Sequence, residues 1–186
     1  KANAYGLGVH RIAQALAGVG VSGFAVAELN EALDVKKFGK PVQILGSVLP
    51  DEIPEAVAGG IILPVNDTQT ARAISEESVR QNKVTECQFL VDTGMGRLGI
   101  VERDALRVIT ESVAFPNLKF SGIYSHFPVA YKTGGEFTKA QCDRFLGLVA
   151  ELGKRGVSFE KVHIANSDAI KDRKSTRLNS SHSLPS

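Results

Sequence analysis

The architecture is decided by one stretch of sequence, Phe89-Leu90-Val91-Asp92-Thr93-Gly94-Met95-Gly96-Arg97-Leu98-Gly99-Ile100. Its first part is a continuous apolar run, and its second part is rich in glycine. A short uninterrupted apolar run is typical of a strand that is buried on both faces, as in a parallel sheet covered by helices. The glycines let the main chain approach a ligand closely, and Arg97 beyond them could hold an anionic oxygen. A tight turn with a solvated arginine is the alternative interpretation.

The same pattern of a short apolar run followed by an amphipathic segment repeats along the chain. The predicted strands are Lys1–Ala4, Gly23–Ala27, Val42–Gly46, Ile61–Val65, Gln88–Thr93, Phe120–His126 and Lys161–Ala165. The predicted helices are Val9–Ala17, Glu28–Phe38, Asp51–Ala58, Thr68–Gln81, Glu102–Val113 and Phe137–Arg155. This alternation predicts a parallel α/β fold.

Two parallel α/β architectures fit the alternation, an open doubly wound sheet and a (β/α)8 barrel. Polar and glycine-rich residues gather just after the strand ends, which favours the barrel, where chemistry lies on the loops after the strands. The first turn, Gly6-Leu7-Gly8, lacks the GxGxxG pattern of a dinucleotide-binding fold. Because only about seven strands are predicted, we expect an incomplete (β/α)8 TIM barrel.

Composition narrows the class of ligand. Lys and Arg number 22 and Asp and Glu 20, so the net charge of +2 gives no reason to expect a nucleic-acid surface. The apolar runs are far shorter than the ~20 residues of a membrane-spanning helix. Cys87 and Cys142 lack metal-ligand spacing, which predicts buried thiols and no metal site. A small molecule is the expected partner.

The last residues differ from the rest in character. Residues 172–186 are dominated by Ser, Arg and Lys, with no apolar period. We expect a folded domain over residues 1–171, followed by a non-native or disordered tail over residues 172–186.

The chain opens on Lys1-Ala2-Asn3-Ala4-Tyr5-Gly6. A lysine amine beside a glycine-rich turn that can bind phosphate is what an enzyme dependent on pyridoxal 5'-phosphate (PLP) needs to hold its cofactor as a Schiff base. By itself this hexapeptide also fits a solvated loop lysine.

Two further predicted strands deliver polar residues at their carboxyl ends. One ends in Tyr124-Ser125-His126-Phe127, where His126 could stack on an aromatic ring, move protons or serve only a structural role. The other ends in His163-Ile164-Ala165-Asn166-Ser167, in which Asn166 and Ser167 suit both a helix cap and a phosphate anchor.

Taken in chain order, the runs that begin at Lys1, Phe89, Tyr124 and His163 resemble the alanine racemase family of fold-type III PLP enzymes. Members of that family have an N-terminal barrel and a C-terminal β domain. The resemblance extends from Lys1 to about Ala169. It implies that Lys1 is both the cofactor lysine and one of two acid/base groups at the substrate's α carbon. It also implies that Tyr5 contacts the cofactor phosphate.

The resemblance implies the remaining cofactor contacts too. Arg97 would hydrogen-bond the phenolic oxygen of the cofactor, and His126 would pack against its pyridine ring. Asn166 and Ser167 would help to bind the phosphate.

The chain departs from the family pattern in two ways. Many members have a lysine, modified to a carbamate that orients the arginine, at the position that Leu90 occupies here. The family's arginine facing the pyridine nitrogen and its opposing catalytic tyrosine, which a partner subunit supplies, have no counterpart in these residues. We therefore expect no racemisation from this polypeptide by itself.

The implied function of the parent enzyme is that of an isomerase, interconverting L-alanine and D-alanine for peptidoglycan biosynthesis in the cytoplasm. It would act as a homodimer that shares its active site between subunits. Leu90 leaves open a racemase of the same family with broader amino acid specificity. A non-catalytic PLP-binding barrel is a further alternative.

Overall fold

The computed structural model describes residues 2–129, 135–164 and 166. Strands and helices alternate in these ranges, as the sequence predicts. The strands are β1 (Phe24–Val26), β2 (Val42–Ile44), β3 (Leu63–Val65), β4 (Thr85–Asp92), β5 (Ile100–Val101), β6 (Leu118–Ser125) and β7 (Lys161–Ile164). The helices are α1 (Ala2–Tyr5), α2 (Val9–Gly18), α3 (Leu29–Lys36), α4 (Ile53–Ala58), α5 (Thr68–Arg80), α6 (Glu102–Ser112) and α7 (Gly135–Lys154), with a short 3-10 helix at Pro50–Glu52 before α4.

The chain forms two compact units. The first comprises Lys1–Pro64, Gln69–Cys87 and Phe115–Lys119, and the second comprises Val65–Thr68, Gln88–Ala114 and Phe120–Ser186.

In the first unit, β1 and β2 pair in parallel. Phe24 lies opposite Val42 and Val26 opposite Ile44, and a single parallel bridge joins Gln43 to the residue before β3. The central positions of this unit are apolar and fully buried, among them Ala32, Val42, Ile44, Ala56, Leu63, Ala71 and Ile74. Helix α3, for example, buries Leu29, Ala32 and Val35, the stripe of side chains that its apolar period predicts.

The larger sheet has the strand order β3, β4, β6, β7, with the two-residue strand β5 beside β4. Strands β6 and β7 are parallel, from the pair Gly122 and Lys161 to the pair Ser125 and Ile164. At Gly122 there is no room for a side chain, because a Cβ there would lie 2.9 Å from the Gln88 side chain and 3.0 Å from the main-chain oxygen of Lys161. A larger residue at Gly122 would therefore push these strands apart.

The core of the second unit contains large apolar side chains from β4, β6, β7 and α7. Phe89, Ile123, Ile164, Phe145 and Leu152 are all fully buried. A packed apolar core therefore lies within the unit whose strand ends carry the candidate site.

The structure corrects the prediction of a strand at Lys1–Ala4. Residues Ala2–Tyr5 form the single turn α1, in which Asn3, Ala4 and Tyr5 have φ angles of +54°, +55° and +57°. Left-handed backbone over successive non-glycine residues is rare, and a sequence pattern of small apolar residues does not reveal it. Lys1 itself lies outside the described residues.

Other differences from the predicted elements are small. The short strand β5 was not predicted, because two residues carry too little period to identify a strand. Cys87 is buried as expected, whereas Cys142 on α7 is only half-buried. No helix in the described part of the chain is both long and apolar enough to cross a membrane.

Candidate functional site

The loop after β4 is closed around the carboxylate of Asp92. Its Oδ1 accepts hydrogen bonds from the main-chain N–H groups of Gly94 at 2.9 Å and Met95 at 2.8 Å, and its Oδ2 accepts one from Gly96 at 2.8 Å. Three bonds to one charged side chain hold the loop in a defined shape. The loop therefore presents Arg97, which is exposed, from a fixed base.

The carboxyl ends of β4, β6 and β7 meet at one edge of the sheet. The hydroxyl groups of Thr93 and Ser125, which lie at the ends of β4 and β6, are buried and 2.9 Å apart. Ser125 pairs with Ile164 across β6 and β7. Beyond that pair, Asn166 Nδ2 donates a hydrogen bond to the main-chain oxygen of Phe127 at 2.9 Å. In parallel sheets of this class, this edge is where ligands bind.

This edge brings together the segments that carry three predicted site residues. Arg97 follows β4, His126 follows β6 directly and Asn166 follows β7. Arg97 is exposed, while His126 and Asn166 are half-buried. Two further predicted site residues, Lys1 and Ser167, lie outside the described residues.

Tyr5, the remaining predicted residue, belongs to the first unit and has 74% of its surface exposed. It ends the left-handed turn α1, which is tied to the start of α2. The Asn3 side chain accepts a hydrogen bond from the Val9 N–H at 2.8 Å, and the Asn3 main-chain oxygen accepts one from the Gly8 N–H at 3.1 Å. Successive non-glycine residues in this conformation are costly, and such strain is concentrated at functional sites.

An aromatic pair lies just inside the strand edge. The rings of Tyr124 on β6 and His163 on β7 stack with centroids 5.3 Å apart and an interplanar angle of 8°. Burial lowers the pKa of His163, and the nearby Lys161 ammonium lowers it further. Both effects favour the neutral form of the His163 imidazole.

Leu90 occupies the position at which the resemblance implies a carbamylated lysine. Its side chain is 5% exposed and lies in the buried run of β4. Gly99 crosses over it so closely that a Cβ there would lie 3.0 Å from Leu90 Cγ. The contact is apolar, so Leu90 places no charge beside the loop that carries Arg97.

Two polar residues of α7 contact the same loop and were not predicted. Gln141 is fully buried, and its Nε2 lies 3.4 Å from Thr93 Oγ1. Arg144 Nη2 donates a hydrogen bond of 2.6 Å to the main-chain oxygen of Thr93. The one available signal was their spacing of three residues, which places both on one face of a helix.

The donor set of this edge suits an anionic aromatic ligand. Arg97 and Asn166 can donate to phosphate or phenolate oxygens, and His126 has a ring face that could stack. Within residues 2–129, 135–164 and 166, no three His, Cys, Asp or Glu side chains cluster in a way that could hold a metal ion. The residues present therefore fit the predicted cofactor, PLP.

Comparisons with known proteins identify the family of this chain. The family model "Alanine racemase, N-terminal domain" matches residues 1–181. Alanine racemase 2 of Caldanaerobacter subterraneus subsp. tengcongensis is 37% identical over 175 residues, which are 92% of this chain and 45% of that protein. The chain thus spans about half the length of the curated relatives it matches.

Solved structures give the same result. The alanine racemase of Clostridium difficile 630 in complex with cycloserine superposes with a TM-score of 0.91 at 26% identity, over 96% of this chain and 50% of the other. The alanine racemase of Bartonella henselae with covalently bound pyridoxal phosphate gives a TM-score of 0.80 at 29% identity, over 91% of this chain and 48% of the other.

The family's N-terminal domain is a TIM-barrel-like α/β fold, and its members are isomerases. The predicted fold class, an incomplete (β/α)8 barrel, is therefore confirmed. With a family match over residues 1–181 and a closely superposing structure, this chain belongs to the alanine racemase N-terminal domain family.

Proposed function

We propose that this chain is the PLP-binding part of an alanine racemase, which interconverts L-alanine and D-alanine. The observation that carries the proposal is the Asp92-closed loop, which presents Arg97 at the same strand edge as His126 and Asn166. Membership of the family supports the same conclusion. The product would serve peptidoglycan biosynthesis in the cytoplasm.

Lys1 is the residue that would hold PLP, through its side-chain amine, and move a proton at the α carbon of the substrate. PLP, when bound, supplies an electron sink that makes the α proton of an amino acid acidic. Tyr5 would contribute its hydroxyl to the phosphate. Tyr5 belongs to a turn with left-handed backbone, which limits the positions that its side chain can take.

The remaining residues would orient the cofactor. Arg97 would donate to its phenolic oxygen, and His126 would cover its ring. Asn166 and Ser167 would bind the phosphate. Asn166 is held by its bond to the main-chain oxygen of Phe127, which fixes the amide at the end of β7.

Inversion requires a second acid/base group on the opposite face of the α carbon. We propose that this group is a tyrosine of a partner subunit, in a homodimer that shares its active site. The folded domain is proposed to cover residues 1–171, with residues 172–186 as a non-native or disordered tail.

Leu90 favours one alternative substrate range. Without a carbamate beside it, Arg97 depends on other contacts for its orientation, and a looser arginine would tolerate a broader set of amino acids. Profiling of D-amino acid products distinguishes an alanine racemase from a broad-specificity racemase. A non-catalytic PLP-binding barrel would form none.

Cofactor attachment tests the central assignment. The chain is expressed behind an N-terminal tag, so that the only amine at Lys1 is its side chain, and it is then mixed with PLP. We expect an absorption band near ~420 nm. After borohydride reduction, peptide mapping should place the cofactor on Lys1. Lys1→Ala should lose the band and the label, while the matched variant Lys154→Ala keeps both. A label on another lysine would contradict the assignment.

Activity is tested in a longer protein, in which the C-terminal half of the Clostridium difficile relative follows this chain. We expect it to convert L-alanine to D-alanine, measured by chiral chromatography, and the chain by itself to show no conversion. Racemisation by the isolated chain would contradict the proposed need for a second subunit.

A further inference from the structure

Helix α7 contacts the main chain of the loop that carries Arg97, although no residue of α7 has a role in the proposed chemistry. Arg144 Nη2 donates to the main-chain oxygen of Thr93 at 2.6 Å, and Arg144 Nε lies 3.1 Å from Glu102 Oε2 on α6. The guanidinium is thus held from two sides. Because its planar donors are fixed relative to one another, a bond to Glu102 also sets the direction of the bond to Thr93.

The side chain of Thr93 is tied as well as its main chain. Gln141 Nε2 approaches Thr93 Oγ1 at 3.4 Å, and that oxygen shares a hydrogen bond of 2.9 Å with Ser125. Thr93, Ser125 and Gln141 are all buried, at 2%, 3% and 0% exposure. In a buried setting these bonds do not exchange freely with water, so Thr93 has little freedom.

The next residue shows how closely α7 approaches the loop. Gly94 has a φ of +137°, and a Cβ there would lie 3.1 Å from Arg144 Nη2 and 3.4 Å from the Phe137 ring. The loop is therefore in close contact with α7 at Gly94. On the strand side, Leu90 offers only apolar contact. Arg144, by contrast, makes a charged hydrogen bond to the main chain of Thr93.

We infer that Arg144 is a positioning residue for Arg97: by holding the Thr93 main chain against α7, it fixes the loop on which Arg97 meets the cofactor. This inference rests on the proposed function. Gln141 assists by fixing the Thr93 side chain. Arg144 touches neither substrate nor cofactor and acts only through the loop.

The first test needs no cofactor. Hydrogen exchange of the Gly94, Met95 and Gly96 amides reports whether the loop stays closed on Asp92. We expect Arg144→Met to speed their exchange by about tenfold. The matched variant Arg103→Met, which removes an exposed guanidinium of α6, should leave it unchanged. Arg144→Lys keeps a donor for Thr93, so it should restore at least half of the protection.

The second test asks whether Arg144 acts through Arg97. In the chain with PLP, Arg144→Met should weaken cofactor binding by about fivefold when Arg97 is present. In the Arg97→Met background the same change should have no further effect. Circular dichroism of each variant confirms the fold, and Glu102→Gln provides a milder disturbance of the same contact.

The outcomes separate the two proposals. Faster amide exchange together with a cofactor effect that vanishes without Arg97 supports the inference. Unchanged exchange in both Arg144→Met and Glu102→Gln, or equal weakening in both Arg97 backgrounds, overturns the inference alone. Failure of the unchanged chain to attach PLP at Lys1 overturns the proposed function, and the role of Arg144 toward the cofactor with it.

Discussion

The rings of Phe89 on β4 and Phe120 on β6 lie parallel, with centroids 4.3 Å apart and an interplanar angle of 5°. Phe159 meets the fully buried Phe89 edge-on at 5.9 Å. Replacing Phe89 by Ala should lower the free energy of unfolding by about 3–5 kcal/mol, because it leaves a cavity between these rings. Urea unfolding measures the effect. Phe137→Ala, at a ring with 46% exposure, is the control and should cost far less.

Two glycines of the second unit should respond to alanine with opposite signs. Gly94→Ala places a Cβ at a φ of +137° and 3.1 Å from Arg144 Nη2, so we expect a loss of about 1–3 kcal/mol of stability. Gly147, inside α7, has open space around it, and Gly147→Ala should gain about 0.5–1 kcal/mol. Thermal and urea unfolding distinguish the two. A stabilising Gly94→Ala would contradict the close approach of α7 to the loop.

Asp92→Asn should loosen the loop that carries Arg97. An amide has only one acceptor oxygen and no charge, so the three bonds that the carboxylate accepts cannot all persist. We expect a loss of about 2 kcal/mol in urea unfolding. Asp143→Asn removes a carboxylate that pairs with exposed Lys139 on α7, and it serves as the matched control with a smaller change. If both variants lose the same free energy of unfolding, the three hydrogen bonds to Asp92 contribute no more than an exposed surface carboxylate does, which would contradict the prediction.

Stability should fall on the acidic side of neutrality because of His163. Burial lowers the pKa of His163 in the folded chain below its ordinary value of 6.5. As the pH falls below about 6.5, His163 binds a proton in the unfolded chain but not yet in the folded chain. The free energy of unfolding therefore decreases until the pH reaches the lowered pKa of the folded chain. His163→Gln removes this contribution. The difference between the two curves of unfolding free energy against pH should be constant above neutrality, where only the lost ring contact with Tyr124 counts, and should change toward acid. A difference that stays constant over the whole range would contradict the prediction.

The two thiols should differ in reactivity. Burial raises the pKa of Cys87, and the Glu86 carboxylate adds to the rise. Burial also raises the pKa of Cys142, which is only half-buried. We expect a thiol reagent at pH about 8 to label Cys142 within minutes and Cys87 only after unfolding, because the thiolate is the reactive form and Cys87 is not accessible. Mass spectrometry of labelled peptides checks the order, and Cys142→Ala should abolish the fast phase.

Hydrophobic period was sufficient to predict most of the fold. The run Phe89–Val91 is apolar and buried throughout, as expected of a strand covered on both faces, and it lies in β4. The predicted strand at Val42–Gly46 contains β2, in which Val42 and Ile44 are buried. The helix predicted at Thr68–Gln81 matches α5 to within one residue. The left-handed turn at Asn3–Tyr5 could not be predicted, because its conformation depends on hydrogen bonds with Gly8 and Val9 rather than on residue pattern.

The placement of three candidate residues relative to the strands could be predicted from the sequence. Arg97, His126 and Asn166 lie in segments that follow β4, β6 and β7, where the chemistry of a barrel is expected. Their roles toward PLP, and those of Lys1, Tyr5 and Ser167, stay predictions. Gln141 and Arg144 could not be found this way, because their importance lies in tertiary contacts between a helix and a loop far away in sequence.

The turn at the start of the chain winds in the opposite screw sense to the helix that follows it. Helical order spreads by adding residues of the same hand, so it cannot pass from α2 back through Asn3, Ala4 and Tyr5. The turn therefore stops right-handed helical order from extending past the N-terminal end of α2. Fraying or lengthening of α2 under heat, mutation or binding should therefore leave the backbone of Asn3, Ala4 and Tyr5 unchanged.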